Sequence, residues 1–175
     1  MSGDQLLDQK TQQLILETEL RATVRRSMRP VARGLAILFS IFAISHSLVL
    51  SRPIRLPMAI TAAATAAILA AITWYLKSHQ LPIRFIHPIS AGIAGLVLVN
   101  SGLHLWLTGD ILQSTNLILL LLGSAFFLLS SRWFWVVSAV TSLSWGLAII
   151  ALAPATTRLH FVFALISALI LATLV

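Results

Sequence analysis

The sequence predicts an all-α, polytopic membrane protein in which six transmembrane helices follow an N-terminal cytoplasmic amphipathic helix. Of the 175 residues, 58% are hydrophobic and 10% are charged, whereas about 25% are charged in an average soluble domain. The mean hydropathy is +0.95. A soluble chain of this composition would expose a large apolar surface and aggregate. Lipid is therefore the predicted solvent, and the lack of cysteine excludes disulfides and thiolate chemistry.

The first element is a cytoplasmic helix, predicted as a separate unit over residues 1–33. Residues 5–28 contain no glycine or proline, and Leu16, Leu20 and Val24 recur at helical spacing. Acidic residues lie early in the segment and arginines late, which suits the helix dipole. The helix could lie on the membrane surface, pack under the bundle or pair with a second copy. The ordinary alternative is a solvated, partly frayed tail.

The second unit, residues 34–175, is predicted to be a six-helix transmembrane sensor domain. Six apolar runs approach the length of about 17–25 residues that a helix needs to cross a bilayer. Short breaks with serine, glycine, proline or charged residues separate them, so consecutive helices run antiparallel. The runs are too long and too uniformly apolar for barrel strands. They cover Leu35–Ser51, Pro57–Leu76, Phe85–Leu107, Thr115–Ser130, Trp133–Ala153 and Leu159–Val175.

The distribution of basic residues predicts that both termini are cytoplasmic. With the N-terminus inside, nine lysines and arginines lie on the cytoplasmic side and three on the outer side, as the positive-inside rule requires. Five of the nine form a basic cluster before the first run, which favours anionic lipid as a partner and disfavours nucleic acid. The cluster consists of Arg21, Arg25, Arg26, Arg29 and Arg33.

Two further patterns concern the end of the chain and helix packing. The last run ends at residues 172–175 without a basic flank, which predicts continuation into the cytoplasm; the alternative is a native end in the last helix. Small residues at helical spacing allow close helix approach in lipid. Small residues in the second and third runs predict that these two helices are central or form a dimer interface. These residues are Ala63, Ala67, Ala71, Ala91 and Gly95.

Polar residues near the outer ends of the runs predict a binding site. Ionisable groups at membrane depth are costly and are usually retained for function. The candidate residues in the outer third are His46, Asn100, His104, Asp110, Asn116 and His160, with Arg52, Arg55 and Arg158 at the rim. His79 and His87 lie toward the inner side and are left out of the site.

Several chemistries fit these residues. His46, His104 and His160 could bind copper or zinc, with Asp110 or an asparagine as fourth ligand. Two of the histidines could hold a haem iron, or the group could sense outer pH. A pocket for a polar or anionic small molecule is a fourth option, and interfacial histidines without a special role are the ordinary explanation. No local ligand motif such as His-x3-His selects among these options.

Catalytic motifs are missing from the sequence. It has no glycine-rich phosphate loop, no Gly-x-Ser-x-Gly and no paired carboxylates, and Asp110 is the single acidic residue after Glu19. Neither an inverted repeat nor a pair of broken helices suggests a transporter. Whether the chain belongs to an enzyme is therefore left open by its own residues.

Three stretches carry a resemblance to a known kind of protein region. They are NSGLHLWLTGD at 100–110, QSTNL at 113–117 with the following leucine run and FFLLSSRWF at 126–134, and LHFVFAL at 159–165. Together they resemble the N-terminal six-span sensor region of bacterial signalling proteins. In such proteins the region precedes a cytoplasmic diguanylate cyclase, nucleotide cyclase or histidine kinase domain.

The resemblance implies a homodimeric receptor in the bacterial inner membrane. The chain would bind a ligand or metal near the outer surface and regulate a cytoplasmic output domain of the same chain. No output domain is present in this sequence, so the chain itself would carry the regulatory part. The alternatives are a haem- or metal-carrying redox protein, a small transporter, or a passive membrane anchor that dimerises its output domain.

Overall fold

A computed structural model describes residues 3–79 and 81–174, and within them the chain forms six α-helices, two short 3-10 helices and no strand. The predicted all-α class is confirmed. Six candidate membrane spans are long and apolar enough to cross a bilayer, the fourth of which includes the 3-10 helix before it. The helices are α1 Gly3–Val49, α2 Arg52–Ser78, α3 Ile86–Thr108, α4 Ser114–Leu128, α5 Ser131–Leu152 and α6 Ala155–Thr173.

The N-terminal segment and the first apolar run form one helix. The 47 residues of α1 continue through Pro30, and at a rise of about 1.5 Å per residue they extend roughly 70 Å. The predicted boundary between residues 33 and 34 therefore falls inside a continuous helix. Val24, Met28 and Ala32 are fully buried, so this half of α1 packs against the bundle, which is one of the placements the sequence allowed.

Short connections give the bundle two distinct ends. One end, which we call the His46 end, contains the connections α1–α2, α3–α4 and α5–α6. The opposite end, which we call the Lys77 end, contains the connections α2–α3 and α4–α5. Prolines begin two helices, since Pro53 stands in the first turn of α2 and Pro154 is the N-cap of α6. A proline is favoured there because the missing N–H has no helical partner at that position.

The alanines of α2 divide between two faces. Ala62 and Ala66 are buried against α1, in a cluster with Phe39 and Leu69. Ala63, Ala67 and Ala71 lie on the opposite face and are exposed. Close packing of α1 on α2 thus uses one small-residue stripe, and the stripe noted in the sequence is left on the outside of the single chain.

The remaining helices pack around α4, which contacts α3, α5 and α6. Trp145 of α5 is buried in a cluster with Leu105 of α3 and Leu117 of α4. Large apolar side chains cover the outside of the bundle, among them Leu147, Ile150 and Phe163. Such an apolar exterior is the surface expected of helices surrounded by lipid.

Candidate functional site

Two of the predicted histidines are in contact at the His46 end. His46 lies in the last turn of α1 and His104 lies one turn before the end of α3. Their ring centroids are 5.2 Å apart, with the ring planes inclined at 69°. Phe42, one turn earlier on α1, stacks on His46 with a centroid distance of 5.8 Å. The His46 side chain is 9% exposed, and its Nδ1 has no hydrogen-bond partner among the described residues.

Asn100 adds a second buried polar group one turn deeper on α3. Its Nδ2 donates to the hydroxyl of Thr65 on α2 and, at 3.2 Å, to the carbonyl oxygen of Leu96. These two bonds fix the orientation of the amide. Asn100 Oδ1 is buried without a partner in the described part of the chain. A buried acceptor left unpaired costs about 1–3 kcal/mol, so both Asn100 and His46 offer unused hydrogen-bonding capacity.

A chain of side-chain hydrogen bonds runs along the α3–α4 connection. Asp110 accepts from the backbone N–H of Leu112 at 3.0 Å and from Gln113 Nε2 at 3.2 Å. Asn116 Nδ2 in turn donates to Gln113 Oε1 at 3.3 Å. Asp110 is exposed, and it acts here as the N-cap of the 3-10 helix Ile111–Gln113. The carboxylate therefore holds the two amide side chains in place.

These groups surround a cavity of about 240 Å³ between α1, α2, α3 and the start of α4, which we call the His46 cavity. Its wall combines two imidazoles, three amides and a hydroxyl with two phenylalanines and a methionine. The lining residues are Phe39, Phe42, His46, Met58, Asn100, Ser101, His104, Gln113 and Asn116. The structure thus brings together four of the predicted site residues: His46, Asn100, His104 and Asn116. Asp110 supports them by its hydrogen bond to Gln113.

The other predicted site residues lie elsewhere. His160 is exposed on α6 and its ring contacts Phe161. Arg158 donates from Nε to the carbonyl oxygen of Ala153 and from a terminal nitrogen to that of Ile150, both at 3.1 Å. It therefore caps the end of α5 and does not line the cavity, and the exposed Arg52 does not line it either.

The predicted three-histidine arrangement is not formed. Among the described residues, no three histidine, aspartate or glutamate side chains are close enough to hold one metal ion. His46 and His104 supply a pair of imidazoles, and His160 stands apart because α6 packs on α4 and α5 while α1 packs on α2, α3 and α4. A structural zinc site needs four ligands, so this pair is incomplete as a metal site.

Three residues that bond to or stack on predicted site residues were not singled out from the sequence. Thr65 is 3% exposed and accepts a hydrogen bond from Asn100. Gln113 links Asp110 to Asn116, and Phe42 stacks on His46. The spacing of Phe42 and His46, one helical turn apart, was a usable signal. Nothing in the sequence pairs Thr65 with Asn100.

A crevice at the Lys77 end lies between the N-terminal half of α1 and the end of α6. It has a volume of about 320 Å³ and lies between Leu20 of α1, the α4–α5 connection at Ser130 and Ser131, and Ala172 and Thr173 of α6. The N-terminal half of α1 and the last turn of α6 therefore share one surface at the end of the bundle opposite the His46 cavity.

Comparisons with known proteins find no match for this chain: no protein-family model, no curated protein and no solved structure is similar to it.

Proposed function

We propose that this chain is the ligand-responsive membrane module of a bacterial signalling receptor. A ligand in the His46 cavity changes the packing of α1 against α3 and α4, and the change reaches a cytoplasmic output domain through the Lys77 end. The observation that carries the proposal is the pair of buried, unpaired polar atoms, His46 Nδ1 and Asn100 Oδ1, on side chains that line one cavity. Ligand sites combine apolar walls with a few such convergent polar groups.

The helix α1 supplies the connection between the two ends. His46 and Leu20 belong to the same helix and are separated by about 39 Å along its axis. Leu20 lies in the crevice that also contains Thr173, near the end of α6. A shift of α1 at the cavity therefore changes the contacts of α6 at the Lys77 end. Such a signal requires that the ligand bind one helix arrangement more tightly than another.

A polar ligand fits the cavity better than a metal or a haem. The described part of the chain gives a metal only two imidazoles, and their rings touch each other edge to face. Axial histidines must face an iron from opposite sides of the porphyrin plane. A hydrogen-bonding small molecule needs neither arrangement, because the cavity wall offers it imidazole, amide and hydroxyl groups.

Localisation and assembly belong to the same proposal. We place the protein in the bacterial inner membrane with both termini in the cytoplasm, supported by the nine-to-three distribution of basic residues. The receptor is a homodimer, and the exposed stripe of Ala63, Ala67 and Ala71 is the surface that suits a second copy. The output domain follows α6.

The test joins a diguanylate cyclase domain to the end of the chain and measures cyclic di-GMP in bacterial membranes. Variants His46→Leu and Asn100→Leu alter the cavity, and His160→Leu is the matched control because His160 lies outside it. Allosteric coupling free energies correspond to changes of about 5–150-fold. We expect both cavity variants to change cyclase output at least fivefold and the control to match the unaltered chain.

Equal output from all four proteins at equal membrane abundance would refute coupling. The chain would then be a passive anchor for its output domain. Abundance is measured on the same membranes, so a variant that fails to insert is recognised and is not scored.

A further inference from the structure

The His46 cavity adjoins a second, largely apolar space. A groove of about 490 Å³ runs between α1 and α4 over a floor formed by α3, and its volume is in the range of about 300–1,000 Å³ typical of ligand sites. Four residues line both the cavity and the groove: Phe39, Phe42, Ser101 and Asn116. The two therefore lie side by side with shared walls, and together they offer a polar head region and an apolar tail region.

The groove walls have matching lengths. On α1 the lining runs from Phe42 to Val31, and on α4 it runs from Asn116 to Phe127. Each wall extends about 16 Å at the helical rise. An extended chain advances roughly 3.5 Å for every three bonds, so a tail of about 14 carbon atoms fills the groove.

The head region selects against charge. Among the described residues, neither lysine nor arginine lines the cavity or the groove, so a carboxylate or phosphate would find no cation there. The Asp110 carboxylate bonds to Gln113 on the cavity wall and disfavours an anion further. A phospholipid with its charged headgroup is thereby excluded from the cavity.

Within the described residues, two unpaired polar atoms belong to cavity residues, His46 Nδ1 and Asn100 Oδ1, and a third, Ser124 Oγ, belongs to a groove residue. Asn100 Oδ1 needs a donor, because the amide nitrogen of Asn100 is already bonded to Thr65 and Leu96. His46 Nδ1 is a donor or an acceptor according to its tautomer. A hydroxyl group both donates and accepts, so it can pair with either atom in either tautomer. A ketone or ester carbonyl only accepts and leaves Asn100 unsatisfied.

We propose that the site binds a single-chain, uncharged amphiphile whose hydroxyl head lies in the His46 cavity and whose tail of about 14 carbons lies in the groove. This inference rests on the proposed function, since it names the ligand class of the same site. The ligand enters from the surrounding lipid, because the groove rim contains exposed apolar side chains such as Leu119 and Phe126.

The test uses the full chain in nanodiscs and tetradecan-1-ol with a photoreactive diazirine at the end of its tail. Labelled positions are mapped by mass spectrometry of peptides. We expect labelling of α1 near Val31 and of α4 near Phe127, where the groove ends. Unlabelled tetradecan-1-ol competes for these positions, whereas tetradecanoate and tetradecane compete at least tenfold less well.

Two variants alter the two halves of the site. Gly123 lines the groove, and a Cβ atom added there meets no atom within 4 Å, so Gly123→Phe begins its side chain in open space and places a ring in the tail region. Gly92 also has open space around it and lies outside the groove, so Gly92→Phe is the matched control. Asn100→Leu removes the head acceptor, and loss of such a buried bond lowers affinity about tenfold.

The outcomes separate the two proposals. Labelling that all three competitors reduce equally, or that Gly123→Phe leaves unchanged, would overturn the amphiphile site and identify the groove as a surface for ordinary bilayer lipid. If the cavity variants still change cyclase output in that case, signalling stands with a smaller ligand. Specific labelling without any change in output would instead support the amphiphile site and refute the signalling role.

Discussion

The hydrogen bond between Asn100 and Thr65 gives the sharpest test of the site, because it crosses from α3 to α2 between two buried side chains. Thr65→Val keeps the shape of the side chain and removes the acceptor. One N–H of Asn100 is then buried without a partner, while the other still donates to Leu96. Hydrogen bonds between membrane helices contribute about 0.6 kcal/mol on average and up to roughly 1.7 kcal/mol.

We expect Thr65→Val to lower the free energy of unfolding by about 1 kcal/mol. Asn100→Leu removes the buried amide, so adding Thr65→Val to it leaves no unpaired donor and costs little more. A double-mutant cycle should therefore give a coupling energy of about 0.6–1.7 kcal/mol. The measurement is reversible unfolding in mixed micelles of a mild detergent and sodium dodecyl sulfate, followed by tryptophan fluorescence.

Thr61→Val is the matched control for this cycle. Thr61 lies one turn earlier on α2, and its hydroxyl donates to the carbonyl oxygen of Pro57 in the same helix. Such local bonds add little to helix stability, so its removal should change stability by less than about 0.5 kcal/mol. A coupling energy below about 0.3 kcal/mol, within the error of additivity, or an equal effect at Thr61, would refute the assigned contact between α2 and α3.

Three further predictions concern orientation, the rim and metals. Since the chain has no cysteine, Ser51→Cys and Ser78→Cys are clean probes, and an impermeant maleimide should label intact cells at Ser51 only. Arg158→Met removes two bonds to the last carbonyls of α5 and should lower the free energy of unfolding by about 1 kcal/mol. Any transition metal that copurifies should be retained in His160→Ala, as measured by elemental mass spectrometry.

Each of these predictions has a result that contradicts it. Labelling at Ser78 in intact cells would reverse the membrane orientation. Arg52→Met is the control for Arg158→Met, because Arg52 is exposed at the same end of the bundle. An equal loss of stability in both variants would refute the role of Arg158 as a cap of α5. Metal lost in His160→Ala but kept in His46→Ala would place the metal site away from the cavity.

The membrane spans could be predicted from the sequence because their cause is local. A run of apolar residues long enough to cross a bilayer has to be helical there, since lipid offers the backbone no other partners. The predicted run Phe85–Leu107 and the helix Ile86–Thr108 differ by one residue at each end. The sequence did not predict that α1 would run unbroken across residues 33 and 34, because Pro30 favours a break there.

The composition of the site was only partly predictable. Sequence position gives the depth of a residue in the bilayer, so the histidines were assigned to one level. It does not give the neighbours of a helix, which depend on how all six pack. His46 and His104 meet because α1 contacts α3, whereas His160 is on α6, which packs against α4 and α5. The hydrogen bond between Asn100 and Thr65 could not be predicted for the same reason.

The continuity of α1 links the position of the site to its proposed use. If the N-terminal segment were a separate helix, a ligand beside His46 could act on the Lys77 end only through side-chain packing. One hydrogen-bonded helix instead lines the head cavity at His46, lines the tail groove at Leu35 and reaches the crevice at Leu20. A tail that fills the groove pushes against the middle of this helix, so tail length as well as head chemistry should set the position of Leu20 against α6. For this reason the groove and the cavity act as one site.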